Sequence, residues 1–365
     1  MRKVSLYANV GAELTHYDMN VEAAELTRRG TVRLPANVQY AWPHASRQFL
    51  YVATSDSAPG TGPGGNTHHV TALRIDRASG ALSPHGSPIP LPTRPVHMAT
   101  DIPSRFILVA FNNPSAVRVY RINEDATPGE EVVQPGPIDP GIFGHQVRAT
   151  PDNRQVILVT RGHDAADGKS EKPGALKVFD FNDGMLNNEA SVAPDGGFGF
   201  GPRHLDFHPS KPWVYVSLER QNALDMFELA NGALSPKPRF RKNALGTEPR
   251  TRQAVGTVHV HPNGRVVYVA NRAGNPDGEN SLAIYAIDQS SGEPHLIEHV
   301  HTRGVHPRTF HIDPSGRLLA VAHITGAVLS LFRIGDDGAL HFVRAYDIDV
   351  GQRTLWWMGM VEHAA

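Results

Sequence analysis

Polar and charged residues recur at two fixed distances from a repeated turn proline. Six residues before that proline stand Asn37, His97, His145, Arg203, Gly256 and Arg308, and ten residues after it stand Asn113, Arg161, Glu219 and Arg272. Histidine and glutamate side chains can transfer protons, and an arginine side chain can bind a carboxylate or a phosphate through two parallel hydrogen bonds. If the fold brings these positions together, they form a site for acid–base chemistry on a small anionic molecule.

The segments between these positions repeat along the chain. A short apolar strand, a turn with proline and a second apolar strand occur six times, from QYAWPHASRQFLYVAT (39–54) to TFHIDPSGRLLAVAH (309–323). A third strand occurs seven times, with an aromatic or leucine residue at Tyr17, Leu73, Tyr120, Phe179, Phe227, Tyr285 and Phe332. A fourth strand follows each third strand, commonly after a turn such as NGAL (231–234). Four antiparallel strands in a unit of about 52 residues are typical of a propeller blade.

The two ends of the chain account for the missing first pair of strands. TLWWMGMVEH (354–363) can supply an innermost strand, and KVSLYAN (3–9) can supply the second strand of the same blade. Such a blade closes the ring and leaves no exposed sheet edge at the junction. The sequence therefore predicts an all-β protein in which residues 1–365 form a single seven-bladed β-propeller. Two β-sandwiches would need a linker, and they would not explain the regular repeat.

The blade geometry predicts which face carries the chemistry. The first two strands of a blade form a tight hairpin, so the start of the first and the end of the second lie on one face. The long connections at 55–69, 161–175 and 272–280 also lie on that face, and long loops over a rigid scaffold commonly hold functional sites. We therefore expect charged residues from different blades to converge at one mouth of the central channel. The alternative is that the ends of these strands are simply polar.

The composition excludes several kinds of site. The chain has 365 residues, no cysteine and a formal net charge of −1, so it has no disulfide, no thiolate metal ligand and no thiol nucleophile. Near neutrality argues against nucleic acid as a partner. No apolar run approaches the length of a membrane span, and no apolar signal core precedes Val4. These observations predict a soluble, cytoplasmic protein without a membrane partner.

No motif indicates a cofactor or a metal. GTGPGG (60–65) matches a dinucleotide-binding pattern by letter, but no helix follows it, and a G-x-S-x-G nucleophile motif is absent from the sequence. His259 and His261 are two residues apart, but His261 lies at a turn, and the chain contains no HExxH motif. We therefore expect a metal-independent protein that needs no cofactor.

Five segments resemble the seven-bladed propeller lactonase family. They are GHQVRATPDNR (144–154), GFGPRHLDFHP (199–209), YVSLERQN (215–222), TVHVHPNGRVVYVANR (257–272) and HPRTFHIDPSGRLLAVA (306–322). The family includes propeller-type 6-phosphogluconolactonases and 3-carboxy-cis,cis-muconate lactonizing enzymes. The resemblance implies a catalytic site of His145, Arg203, Glu219 and Arg272. It also implies that His204, Arg252, His259 and Arg308 bind or orient the substrate. The charged loop at 161–175 has no counterpart in the family pattern.

The expected reaction is hydrolysis of a lactone, either a sugar-acid lactone or a related carboxylated lactone, in carbohydrate metabolism. His145 is expected to be the general base, and Arg203 and Arg272 are expected to bind the oxyanion and the substrate anion. Glu219 would orient an arginine or share the proton transfer. Ring closure of a carboxymuconate would need similar groups, so the direction of the reaction stays open. A non-catalytic propeller that binds a partner is a further alternative.

Overall fold

Seven separate sheets make up the described part of the computed structural model, which covers residues 3–57, 64–166, 168–248, 252–348, 351 and 353–363. The N-terminal strands are β1 Lys3–Val10, β2 Glu13–Asn20 and β3 Glu25–Arg33. Blade 1 contains β4 Asn37–Pro43, β5 Phe49–Ser55, β6 His68–Ile75 and β7 Leu82–Pro90. Blade 2 contains β8 Pro95–Thr100, β9 Phe106–Asn112, β10 Ser115–Ile122 and β11 Pro128–Glu131. Blade 3 contains β12 Gly144–Ala149, β13 Gln155–Thr160, β14 Ala175–Asn182 and β15 Met185–Val192.

The chain continues through three more blades and a final strand. Blade 4 contains β16 Pro202–Phe207, β17 Trp213–Leu218, β18 Ala223–Ala230, β19 Ala233–Leu234 and β20 Phe240–Asn243. Blade 5 contains β21 Gln253–Val260, β22 Val266–Ala273, β23 Ser281–Ile287 and β24 Pro294–His301. Blade 6 contains β25 Val305–Ile312, β26 Leu318–Thr325, β27 Val328–Ile334 and β28 Leu340–Asp347. The last strand is β29 Met358–His363, and among the described residues the only helix is a 3-10 turn at Pro194–Gly197.

The structure confirms the seven-bladed propeller and its closure by the chain ends. The seventh sheet, blade 7, has the strand order β29-β1-β2-β3, with Val4 opposite Glu362 and Leu6 opposite Met360. The seven aromatic or leucine residues that mark the predicted third strands, from Tyr17 to Phe332, all lie in the third strand of a blade. We call them the marker residues. The fourth strand of blade 4 is split, because both β19 and β20 pair with β18.

Buried tyrosines connect neighbouring blades. The hydroxyl groups of Tyr7, Tyr51, Tyr215 and Tyr268 each donate a hydrogen bond of 2.7–2.9 Å to a carbonyl oxygen in a turn of the next blade. In blade 4 the acceptor of Tyr215 is Gly292, which lies on blade 5. The rings pack in apolar clusters between the sheets. Burial of apolar surface drives this packing, and the hydroxyl bonds fix the position of each blade against the next.

Candidate active site

A bulge recurs on the innermost strands and defines the candidate site. In blade 3, Gly144 pairs with Thr160 and Gln146 pairs with Val159, so His145 is an extra residue in β12. In blade 4, Arg203 is the extra residue between Pro202 and His204. Four of the other innermost strands have the same irregularity, at Gln39 in blade 1, Val96 in blade 2 and Arg308 in blade 6. In blade 5 the bulge contains two residues, Gly256 and Thr257. A bulge changes the direction of a side chain, and here it turns one side chain per blade toward the channel.

The bulge residues meet at a narrow cavity in the channel. The cavity is lined by Gln39, Tyr40, Val96, His145, Arg203, His204, Thr257, Arg308, Thr309, Trp356 and Trp357. Its volume of about 20 Å³ is enough for about one water molecule. Blade 7 contributes Trp356 and Trp357, whose backbone N–H groups are both held by the Asn9 side chain. The site is therefore built from most of the blades, and the ring fixes its geometry.

Glu219 lies at the centre of three arginines. It follows β17 directly, and its N–H donates to the carbonyl oxygen of Gly201 at 3.0 Å. Its Oε1 accepts hydrogen bonds from Nη1 of Arg161 at 3.0 Å and from Nη2 of Arg272 at 2.9 Å. Its Oε2 lies 3.5 Å from Nε of Arg203. We call these three arginines and Arg308 the arginine cluster.

The arginine cluster has a large excess of positive charge. In the described part of the chain, Glu219 is the one carboxylate that forms an ion pair with it. Burial lowers the pKa of Arg203 to about 9, and the charge of Arg272 adds to this effect against the opposing charge of Glu219. Burial raises the pKa of Glu219, but the charges of Arg272, Arg203 and Arg161 outweigh it and lower that pKa to about 2. Glu219 is therefore ionised, and the site still attracts a further anion.

Arg308 has no ion-pair partner among the residues that the structure describes. Its guanidinium carbon lies 3.5 Å from the ring centre of Trp356, which gives a cation–π contact. Burial lowers the pKa of Arg308 well below its ordinary value, and the charges of Arg203, Arg272 and Arg94 add to this effect. An anionic group bound beside Arg308 would relieve this unfavourable burial of charge.

His145 is a neutral histidine beside these cations. Burial lowers its pKa well below the ordinary value, and Arg203, Arg161, Arg308 and Arg272 lower it further. Its Nδ1 is buried without a hydrogen-bond partner in the described structure. His204 packs against it with a ring-centre distance of 5.1 Å. The Nη1 atom of Arg203 lies 3.4 Å and 3.5 Å from the two ring nitrogens of His204, so the guanidinium group faces that ring.

The charged insertion at 161–175 packs beside the cluster. His163 pairs with Lys172 and Ala166 pairs with Lys169, which makes a short hairpin arm. Arg220, the neighbour of Glu219, holds this arm through Asp164 at 2.7 Å and Glu171 at 2.9 Å. Nη2 of Arg220 also donates to the carbonyl oxygen of Arg161 at 2.9 Å. The arm thus connects to the same loop end that carries Glu219.

Two of the residues expected to bind substrate lie outside the arginine cluster. Arg252 is 87% exposed and approaches the hairpin arm, with its Nη2 4.0 Å from Asp164. His259 lies near the turn of blade 5, with its Nδ1 3.4 Å from Asp206. It lines a larger cavity of about 440 Å³ toward the other end of the channel, together with Arg148 and His311. This cavity adjoins the small one, since both are lined by Tyr40, Thr309 and Trp357. Since a strand advances about 3.3 Å per residue, positions a few residues beyond the bulge belong to the other mouth.

Several residues at the site are not among those selected by their distance from the turn proline. The bulge residues of blades 1 and 2 are Gln39 and Val96, whereas the proline count selects Asn37 and His97. The reason is that the turn proline follows the bulge by four residues in blade 1 and by seven in blade 2, instead of six. Arg94 donates from Nε to Oε1 of Gln39 at 2.8 Å. His306 contacts Arg272 with its Nε2 3.2 Å from Nη1. It begins the segment 306–322 that resembles the lactonase family, but neither the resemblance nor the proline count assigned it a role.

Across the described ranges, no group of three or more His, Cys, Asp or Glu residues is arranged to hold a metal ion. His261, which the sequence placed at a turn, has its Nε2 2.8 Å from the carbonyl oxygen of Gly316 in the next blade. In the same ranges, no helix has the length and apolar character needed to cross a membrane.

Comparison with known proteins agrees with this architecture. Residues 4–357 match the family model described as "Lactonase, 7-bladed beta-propeller". A 6-phosphogluconolactonase of Bacillus subtilis is 27% identical over 348 residues, which cover 92% of each chain. A 6-phosphogluconolactonase of Erwinia tasmaniensis is 28% identical and covers 98% of each chain. The solved structure of a periplasmic gluconolactonase from Pseudomonas aeruginosa superposes with a TM-score of 0.74, at 20% identity and 99% coverage of each chain. The chain belongs to the seven-bladed β-propeller lactonase family.

Proposed function

We propose that the protein hydrolyses an anionic lactone of a sugar acid, such as 6-phosphogluconolactone, at the arginine cluster. One observation carries the proposal: a neutral histidine with an unpartnered ring nitrogen lies beside four arginines. Three of these arginines share the carboxylate of Glu219, and the fourth, Arg308, has no ion-pair partner among the described residues. The names of the Bacillus and Erwinia relatives support the same reaction class. A partner-binding surface would need no such concentration of buried charge.

The charge of the site supports an anionic substrate over a neutral one. Arg203 is 2% exposed and Arg272 is 9% exposed, so water screens their charges poorly. Glu219 offsets one of the positive charges of the cluster. A phosphate or carboxylate on the substrate would offset more of them, and arginine binds such groups with charge-assisted hydrogen bonds. A neutral lactone would gain none of this energy.

His145 is better suited than Glu219 to take the proton from water. The Glu219 carboxylate has a pKa of about 2 and accepts hydrogen bonds from two arginines, so it is a weak base and is already engaged. The Nδ1 atom of His145 has no hydrogen-bond partner among the described residues, and in the tautomer that carries its proton on Nε2 it can accept a proton. Burial is the main cause of the low pKa of His145, and the charges of the arginines lower it further. A substrate anion would offset the arginine charges, so binding of substrate would remove that part of the shift.

The proposed reaction proceeds in two steps. Water attacks the lactone carbonyl carbon, a water proton moves to Nδ1 of His145, and the carbonyl oxygen becomes an oxyanion beside Arg203 and Arg272. The oxyanion then re-forms the carbonyl group, the bond to the ring oxygen breaks, and that oxygen takes the proton from His145. The product is the open-chain hydroxy acid. Preset donors at the oxyanion are typically worth about 10²–10³ in rate each.

A panel of lactones tests the proposal. Hydrolysis of 6-phosphogluconolactone, unphosphorylated gluconolactone and a carboxylated muconolactone is measured against the spontaneous rate of each. We expect strong acceleration for an anionic lactone, little for the neutral one, and a loss of about 10²–10³ in kcat/KM with Arg203→Ala. His311→Ala, which changes a histidine at the other mouth, is the matched control. Absence of acceleration for every lactone in the panel would refute the proposal.

A further inference from the structure

His306 contacts Arg272 in a way that fixes the protonation of its ring. Nη2 of Arg272 donates to Glu219, and Nη1 lies 3.2 Å from Nε2 of His306. A guanidinium group can only donate hydrogen bonds, so Nε2 of His306 must be the acceptor. The imidazole is therefore neutral, with its proton on Nδ1. Burial and the charges of Arg272, Arg308 and Arg203 also lower the pKa of His306 to about 3.

The backbone of His306 is held in an unusual conformation. Its φ is +60°, in the left-handed region that residues other than glycine seldom adopt without local support. The support comes from Asn280, which is 1% exposed and whose Oδ1 accepts the N–H of His306 at 2.8 Å. The same oxygen accepts the N–H of Ala273, the residue after Arg272, at 3.1 Å. The side chain of Asn280 thus binds the backbone of His306 and the backbone next to Arg272.

The orientation of the Asn280 amide is itself fixed. Its Nδ2 donates to the carbonyl oxygens of Asn275 at 3.0 Å and Gly278 at 3.2 Å, so the oxygen must face Ala273 and His306. The carbonyl oxygen of Asn280 accepts a hydrogen bond from Oγ1 of Thr302 at 2.9 Å. Asn280 therefore links the end of β22 in blade 5 to the start of β25 in blade 6. This linkage holds Arg272 and His306 in a fixed mutual position.

We propose that His306 is a positioning residue that orients the guanidinium group of Arg272 toward the substrate anion and the oxyanion. Glu219 and His306 each engage one terminal nitrogen of Arg272. This arrangement restricts rotation of the guanidinium plane. The Nε atom of Arg272 is buried without a hydrogen-bond partner in the described structure, so a donor remains in the site. The role rests on the proposed lactone hydrolysis, because it concerns the same site.

Two substitutions distinguish positioning from a purely structural role. His306→Ala removes the acceptor and should lower kcat/KM for the anionic lactone by about 10–100-fold, through both a lower kcat and a higher KM, as losses of orienting partners do in other sites. His306→Gln retains an acceptor oxygen and should restore most of this loss. In an Arg272→Ala background, His306→Ala should have little further effect, because the residue acts through Arg272. His295→Ala, an exposed histidine on β24, is the control.

Binding of inorganic phosphate, measured by calorimetry, gives a readout independent of turnover. We expect His306→Ala to weaken phosphate binding toward the level of Arg272→Ala, and His306→Gln to retain it. Unchanged kcat/KM and phosphate binding in His306→Ala would overturn the positioning role. An equal loss in the Arg272→Ala background would also overturn it. If the wild type hydrolyses no lactone but the variants still differ in phosphate binding as described, the proposed function fails and the positioning role of His306 stands. If the wild type neither hydrolyses a lactone nor binds phosphate, the proposed function and the positioning role both fail.

Discussion

His145 and Arg203 occupy equivalent positions in neighbouring blades, each as the extra residue of a bulge near the start of the innermost strand. The bulge gives the two side chains a common direction into the channel, where both line the same small cavity. Without the bulge, the alternation of the strand would turn each side chain toward a neighbouring sheet. A repeated irregularity in the backbone thus places a histidine and an arginine at the same small cavity.

The carboxylate of Glu219 should stabilise the fold as well as the site. Glu219→Gln leaves the buried arginines without their counter-charge and should lower the free energy of unfolding at pH 7 by about 3 kcal/mol. The carboxylate has a pKa of about 2 in the folded protein against an ordinary 4.5. Its contribution is therefore complete above pH 4.5 and is lost as the pH falls from 4.5 toward 2. Denaturant titrations across this range should show a shallower pH dependence in the variant than in the wild type.

The exposed Glu189 on β15 offers a control for that comparison. Glu189→Gln should leave both the free energy of unfolding and its pH dependence close to those of the wild type. An equally stable Glu219→Gln protein would show that the ion pairs with the arginines contribute no net stability.

Activity should persist in mild acid. His145 must be neutral to accept a proton, and burial together with the neighbouring arginines keeps its pKa in the free protein well below the ordinary 6.5. As the pH is lowered through 6.5, kcat/KM should therefore stay constant and decline only at lower pH. Because a substrate phosphate itself gains a proton near pH ~6, a carboxylated lactone without phosphate is the control. A half-maximal rate near pH 6.5 with both substrates would contradict this assignment.

Arg308 should lower the free energy of unfolding but strengthen binding of an anionic substrate. Arg308→Gln removes a buried cation that has no ion-pair partner in the described structure, and it should raise the free energy of unfolding by about 1 kcal/mol, or Tm by roughly 2 °C. The same change should raise KM for an anionic lactone. Calorimetry and steady-state kinetics check the two effects together. Arg121→Gln, an exposed arginine stacked on Phe106, is the matched control. A lower Tm with unchanged KM would contradict the prediction.

The tyrosine bonds between blades should contribute to stability without affecting catalysis. Tyr215→Phe removes the hydrogen bond to Gly292 and leaves a buried carbonyl oxygen without that donor. The free energy of unfolding should fall by about 1–2 kcal/mol, with kcat/KM unchanged. Tyr17→Phe changes a buried tyrosine whose hydroxyl has no hydrogen bond in the described ranges, and it should have a smaller effect. Equal losses in the two variants would show that the bond between blades contributes little.

The sequence predicts the ring well because each blade repeats the same strand pattern. The markers Tyr17 to Phe332 recur at blade spacing, and the termini fit the one incomplete blade. His145 and Arg203 are found by counting because the turn proline keeps its place in blades 3 and 4. Gln39 and Val96 are missed because the proline is displaced in their blades, and a bulge leaves no mark in the residue types.

The role of His306 could not be predicted because it depends on backbone conformation. Its left-handed φ and the bridging Asn280 are properties of the folded loops, and 26 residues separate the two in sequence. His259 is a contrasting case, in which the motif identified the residue but not its position. It lies in a matching segment, but its distance along the strand places it at the other mouth, beside Asp206. Residue type and motif identify the candidates, and only the register of the strands determines which of them meet.

The most direct test of the account is hydrolysis of 6-phosphogluconolactone by the wild type and by His145→Ala, with the spontaneous rate subtracted and His311→Ala as control. Removal of a general base typically lowers the rate by about 10²–10⁴-fold. His145→Ala should lose activity in this range and keep a native melting transition, and His311→Ala should show no comparable loss. Equal kcat/KM values for the wild type and His145→Ala would contradict this prediction.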